Sequence, residues 1–221
     1  MCGRFSLKTP SKVLAKAFKI EVPTLPLRYN IAPTQQVAAV RSRPDGRELA
    51  LLKWGLVPSW AKDASIGSRM INARAETVAE KPAYRWAFRR RRCLVPADGF
   101  YEWKREGGSK QPYHFRMRDE QPFAFAGLWE RWRGELGEVI DSCTIITTEA
   151  NELLAPVHDR MPVILPPEAY DTWLDDEFTD ALALGGLLRP YPAEAMERFP
   201  VSTRVNSPKN DDASCVAIQA L

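Results

Sequence analysis

The chain predicts an α+β fold, one domain over residues 1–221, built on a mostly antiparallel sheet or partly closed barrel with short helices beside it. Three observations carry this. Segments of alternating or β-rich character outnumber helical ones. They follow one another without a regular strand–helix–strand rhythm. No Pro-, Gly- or Ser-rich linker and no internal repeat divides the sequence.

Thr9-Pro10 reads as an N-cap and first helical position, and Leu14, Ala17 and Phe18 then recur at helical spacing, so a short helix is expected over 10–19. Pro23, Pro26 and Pro33 make an extended loop of the stretch that carries RYNIAPTQ. Strands are expected at 36–41 and 47–54, joined by a turn at Pro44-Asp45-Gly46. Residues 55–70 look irregular, and a helix follows over 81–91. Strands are then expected at 93–95, 98–104, 111–118, 123–133 and 138–147, with Gly107-Gly108 and Gly134/Gly137 in the hairpin loops. A helix over 167–175 would bury Ala169, Tyr170, Trp173 and Leu174, and a last strand is expected at 214–219.

Hydrophobic residues make up 45% of the chain, which allows a packed core. The net charge of +3 is too mild to name a nucleic-acid partner by itself, although a local basic groove is compatible with it. Cys2, Cys93, Cys143 and Cys215 lie far apart with no CxxC pair, which argues against a zinc site and for a reducing, cytoplasmic setting. The N-terminal MCGRFSLKTP lacks the apolar region of a signal peptide. No stretch approaches the roughly 18 apolar residues of a membrane span.

Cys2 is the most informative residue. Removal of Met1 would leave its amine and thiol on adjacent carbons, with ordinary pKa values of roughly 8 and 8.5. The amine can form an imine with an aldehyde, and the thiol can then close a five-membered thiazolidine. An internal Cys cannot, because its nitrogen is an amide. The alternative is an inert second residue, the commoner fate of a lone Cys.

His158, in PVHDRMP, is either a proton shuttle or a structural surface residue. His114, inside YHFRM, reads as structural. Glu102 lies in ADGFYEWK, where alternation sets Phe100 and Glu102 on one strand face and Tyr101 and Trp103 on the other. Desolvation among these aromatics would raise its pKa and suit acid/base work, and an ion-paired strand Glu is the plainer reading. Asn72 and Arg74 in INARAET share a face if extended, one able to orient a sugar or carbonyl and the other to grip a phosphate. A capping Asn and an ion-paired Arg are the alternatives. Arg89–Arg92 read as a solvated helix end. Trp54, Trp60 and Trp103 could stack bases, with Trp54 and Trp103 assigned to the core. With no Walker loop, no GxGxxG after a strand and no metal-ligand cluster, the mechanism is expected to need no cofactor and no metal.

Seven segments together form a pattern: MCGRF at 1–5, RYNIAPTQ at 28–35, WGLVPSWAKD at 54–63, INARAET at 71–77, RCLVPADGFYEWK at 92–104, KQPYHF at 110–115 and HDRMPVIL at 158–165. In order and spacing they resemble the SRAP family, the SOS-response-associated peptidase domain proteins. The resemblance implies a barrel-like sheet core, a positively charged groove, and recognition of abasic sites in single-stranded DNA; one domain suffices for such a site, so a monomer without membrane attachment is expected. It implies Cys2 as the nucleophile, Asn72 placing the opened sugar, and Glu102 and His158 moving protons. Arg4, Arg74 and Arg160 would meet phosphates, and Thr147 falls among the DNA-contacting positions. Asn30 and Pro33 match the loop that lines the site, and Trp60 lies in a loop able to separate or stack bases. Three rival readings are a thiol peptidase using Cys2, His158 and Glu102, an amidotransferase that also begins Met-Cys-Gly, and a non-covalent reader of single-stranded DNA.

Overall fold

The protein is described by a computed structural model over residues 2–21 and 23–219. Its first strands are β1 (Phe5–Leu7), β2 (Arg28–Ile31), β3 (Gln36–Arg43), β4 (Gly46–Trp54) and β5 (Asn72–Arg74). The central ones are β6 (Arg92–Ala97), β7 (Gly99–Glu106), β8 (Ser109–Met117), β9 (Phe123–Arg133) and β10 (Val139–Glu149). The short β11 (Arg160–Pro162), β12 (Ile164–Leu165) and β13 (Met196–Pro200) follow. Four short helices flank them: α1 (Ser11–Phe18), α2 (Arg85–Arg90), α3 (Tyr170–Leu174) and α4 (Ala181–Gly186).

Five strands close on themselves. β3 pairs with β4, β4 with β10, β10 with β9, β9 with β6, and β6 returns to β3. All of these pairings are antiparallel except β4–β10, which is parallel. Closure leaves no free sheet edge around the ring, so the barrel needs no protecting charges there. A second sheet, in the order β13-β8-β7-β1-β2, packs beside it. The seam is aromatic. Phe5 meets Trp54 and Phe125 edge-on, and Phe100 stacks on Phe115 with ring centroids 5.1 Å apart. Each such ring, fully buried, stabilises the fold by roughly 1.5–3 kcal/mol. The α+β architecture and the barrel core agree with the sequence reading.

Several elements differ from expectation for local reasons. The helix expected from residue 10 begins at Ser11 without a side-chain cap, because the Thr9 N–H and hydroxyl are both turned to Asp98. The helix expected over 81–91 is confined to α2, since tight turns occupy 75–84 before it. The strand expected at 214–219 is a 3-10 turn, Ala213–Val216, held by the Asp212 carboxylate on the Ser214 N–H. A single bridge, Val201 to Ile218, is the extended pairing there. The arginine run is not simply a solvated helix end. Arg92 is buried in β6, and its guanidinium donates to the carbonyls of Phe88, Arg89, Trp173, Asp175 and Phe178, tying α2 to the chain after α3. Trp54 is in the core as expected, whereas Trp103 is half-buried at a cavity wall.

β7 is buried on both faces. Phe100 points into the main core, and Tyr101 packs with Val201, Val205 and Cys215 in a smaller cluster. Gly99 starts this strand where a Cβ would stand 2.2 Å from the His114 ring. The hairpin to β8 turns through Gly107 and Gly108, both at positive φ.

Candidate active site and nucleic-acid interface

The β1–β7 pairing brings the N-terminal residues to their place. Phe5 lies opposite Phe100 and Ser6 opposite Gly99, and the Tyr101 N–H donates to Arg4 O at 3.0 Å. Continued by two residues, this register lays Gly3 and Cys2 alongside Glu102 and Trp103. The anchor is a buried polar cluster. The Ser6 hydroxyl donates to Asp98 Oδ1 at 2.7 Å and lies 3.1 Å from His114 Nε2. Asp98 Oδ2 accepts from the backbone N–H groups of Lys8 and Thr9. Burial pushes the His114 imidazole down to about 3, so it is a neutral structural group, as its strand position suggests.

Cys2 is fully buried. Burial, and then the neighbouring Glu102 carboxyl, raise its thiol far above the ordinary value, so the sulfur is protonated at rest. Glu102 is 3% exposed, and burial pushes its carboxyl up to about 7 against the opposing hydrogen bond from the Trp103 backbone. A group with that pKa exchanges protons readily in either direction at neutral pH.

Glu102 borders a cavity of about 540 Å³ whose wall also includes His158, Arg4 and Trp103, and Cys2 lies buried behind it, next to Glu102. Arg105 and Lys110 complete its cationic side, and Asn206 accepts from Trp103 Nε1 at 2.7 Å. His158 is half-buried, and desolvation is the largest cause lowering its pKa. Its Nδ1 accepts the Arg160 N–H at 3.0 Å, which fixes the neutral ring's proton on Nε2. Asp159 Oδ1 lies 2.9 Å from the same Nδ1, a contact that would need a proton on Nδ1 and so competes with the Arg160 bond. The lowered pKa keeps the ring neutral, with its Nδ1 lone pair on the Arg160 N–H.

Asn72 begins β5, which runs parallel to β10 with Asn72 opposite Ile145 and Arg74 opposite Thr147. Its amide donates to Ile145 O at 3.3 Å, while its Oδ1 is buried with no hydrogen-bond partner among the described residues. An orphaned acceptor of this kind calls for a ligand or water donor. Arg74 is exposed. Thr147 is buried, and its carbonyl accepts from Arg160 Nη2 at 2.6 Å. The Arg160 fork also engages the Glu76 carboxylate.

Asn30 is fully buried. Its amide donates to the carbonyls of Val205, Ser207 and Asn210, and its Oδ1 accepts from Arg4 Nη1 at 2.8 Å. It therefore holds Arg4 rather than presenting a free group of its own. The Asp211 carboxylate accepts from the Tyr29 and Asn30 N–H groups and from Arg28, which locks the segment from Val205 onward beneath the site. Pro33 sits half-buried in the turn after β2, and Trp60 is 61% exposed; neither lines the cavity.

The fold thus gathers Glu102, His158 and Arg4 at one cavity with Cys2 buried beside Glu102, and sets Asn72, Arg74, Thr147 and Arg160 on β5, β10 and β11. Sequence reading missed Arg105, Lys110 and Asn206. The first two were accessible, because alternation puts Trp103 and Arg105 on one face and the Gly107-Gly108 hairpin sets Lys110 opposite Arg105. Asn206 carried no local signal, since a separate part of the chain brings it in.

Among the described residues no cluster of His, Cys, Asp or Glu could hold a metal ion, and no helix is long and apolar enough to cross a membrane. The family model described as SOS response associated peptidase (SRAP) matches residues 1–208. The abasic site processing protein YoqW of Bacillus subtilis is 45% identical over 222 residues, covering 98% of this chain and 99% of its own. The abasic site processing protein YedK of Escherichia coli is 31% identical over 227 residues, with 98% and 99% covered. The abasic site processing protein HMCES of Gallus gallus is 36% identical over 220 residues, with 85% of this chain and 65% of that protein covered. A crystal structure of a Bacteroides thetaiotaomicron protein superposes with a TM-score of 0.90 at 28% identity, covering 99% of this chain and all of that one. On the family match and these full-length relatives, the chain belongs to the SOS response associated peptidase family.

Proposed function

We propose that this protein processes abasic sites in DNA by forming a covalent link between Cys2 and the lesion's aldehyde in a single strand. The observation that carries this reading is the burial of Cys2 beside Glu102, whose carboxyl sits at about 7, on a cavity with cationic walls.

The chemistry closes on these groups. An abasic sugar is mostly a ring hemiacetal, and protonated Glu102 supplies the acid that opens it. With Met1 removed, the Cys2 amine attacks the aldehyde carbon. The carbonyl oxygen leaves as water, forming the imine. The Cys2 thiol then adds to the imine carbon, and its proton passes to the nitrogen, closing the thiazolidine. Asn72 Oδ1 is the acceptor for a hydroxyl of the opened sugar. His158 presents Nε2–H to a developing oxygen charge. Holding amine, thiol and aldehyde in one cavity removes the entropy cost of a bimolecular encounter. Arg4, Arg74 and Arg160 supply phosphate contacts, and Trp60 offers an exposed ring for stacking.

The same geometry weighs against a thiol peptidase. That chemistry needs a thiolate and a base that accepts its proton. Here burial holds the thiol protonated and the His158 lone pair is engaged by Arg160 N–H, which leaves the role of base to Glu102.

The test is a denaturing gel of protein beginning at Cys2 with a single strand carrying one abasic site, next to an intact strand and the Cys2→Ser variant. A heat-stable shifted band that needs both the lesion and Cys2 supports the reading. Its absence sinks it and leaves non-covalent recognition.

A further inference from the structure

The Arg160 guanidinium already holds an anion. Its Nη1 and Nη2 donate to the two carboxylate oxygens of Glu76 at 2.6 and 3.0 Å. The Arg160 side chain is 16% exposed and that of Glu76 51%, so the arginine is fixed and the carboxylate is the mobile partner. Thr147 O fastens the fork from behind. Glu76 also lies within the field of Arg74, and the two cations hold its carboxyl below the usual range, with the Arg160 hydrogen bond the largest cause. A carboxylate on a bidentate guanidinium fork matches a phosphodiester in charge and in its paired oxygens.

We propose that Glu76 is an internal phosphate surrogate that occupies the Arg160 fork in the free protein and is displaced by a DNA phosphate. This rests on the reading of Arg160 as a phosphate contact. Binding at this position is then an exchange of anions rather than a simple gain. Glu76 lowers affinity for every strand that is held by phosphates alone. A strand with a lesion is retained afterwards by its covalent bond, so the penalty falls on residence at intact DNA. The displaced carboxylate also carries its charge into the complex and cancels part of the counterion release.

The test is binding of a fluorescent, undamaged single strand across a KCl series, read by anisotropy, for the wild type, Glu76→Gln, Arg160→Ala and the double variant. Glu76→Gln is expected to bind roughly fivefold tighter, with a salt slope steeper by about 0.7. Arg160→Ala is expected to bind more weakly, and adding Glu76→Gln to it to give less than the fivefold gain seen with Arg160 in place. Weaker or unchanged binding in Glu76→Gln, with Arg160→Ala still impaired, overturns the surrogate alone. Unchanged binding in Arg160→Ala overturns the phosphate contact and the surrogate with it.

Discussion

The barrel ring and the surroundings of the cavity both bury polar groups, but with different partners. On the barrel, Arg41 meets Glu48 and Asp141, Arg91 meets Glu130, and Arg92 caps five carbonyls. Around the site, Arg4 Nε, Asn72 Oδ1 and Arg160 Nε are buried with no hydrogen-bond partner among the described residues, and burial raises the Glu102 carboxyl. Buried polar groups with good partners rigidify a fold, whereas strained ones cost stability and await a ligand. Among the described residues, unpartnered groups are concentrated around the site, with Thr144 Oγ1 on the barrel and His114 Nδ1 in the second sheet as the exceptions.

This comparison can be broken or sharpened by substitution. The largest effect is expected from Glu102→Gln, which should slow crosslinking by roughly 10²- to 10⁴-fold. Glu102's pKa is raised on folding from 4.5 to about 7, so the folded state binds the proton more tightly than the unfolded chain. Stability therefore falls as pH rises from 4.5 through 7, by up to about 3 kcal/mol. The variant should melt at a higher temperature than the wild type at pH 8 and lose the wild-type rate decline above about pH 7. Lower stability at pH 8 would place Glu102 with the structural ions instead. Arg92→Lys should act in reverse, destabilising by about 3 kcal/mol in urea unfolding while leaving the crosslinking rate of the folded protein unchanged. An unaltered midpoint would show that the five carbonyls are equally well served by water. The smallest effect on folding is expected from Trp60→Ala. Its exposed ring should contribute less than about 0.5 kcal/mol to stability, while binding to single strands weakens by about 1–3 kcal/mol if a base stacks on it.

Legibility in the sequence followed the range of the interactions. Long strands such as β9 announce themselves by composition and turn residues over many positions. The three- and four-residue β1, β2 and β5 do not, because tertiary pairing rather than propensity makes them strands. Glu102 was found because its aromatic neighbours are adjacent in sequence. The buried role of Arg92 was missed because its carbonyl acceptors lie partly 81–86 residues away. The roles of Asn30 and Arg160 were seen only in outline, since Asp211 and Glu76, which complete their geometry, come from distant segments.

The hydrogen bond from Arg4 to Val205 O spans 201 residues of chain. In a ribosome adding roughly 5–20 residues per second, Arg4 emerges about 10–40 s before the segment that holds its side chain. Closing so long a loop is also among the slowest steps open to a refolding chain. The N-terminal strand thus spends its early life without the segment around Val205 that holds the Arg4 side chain.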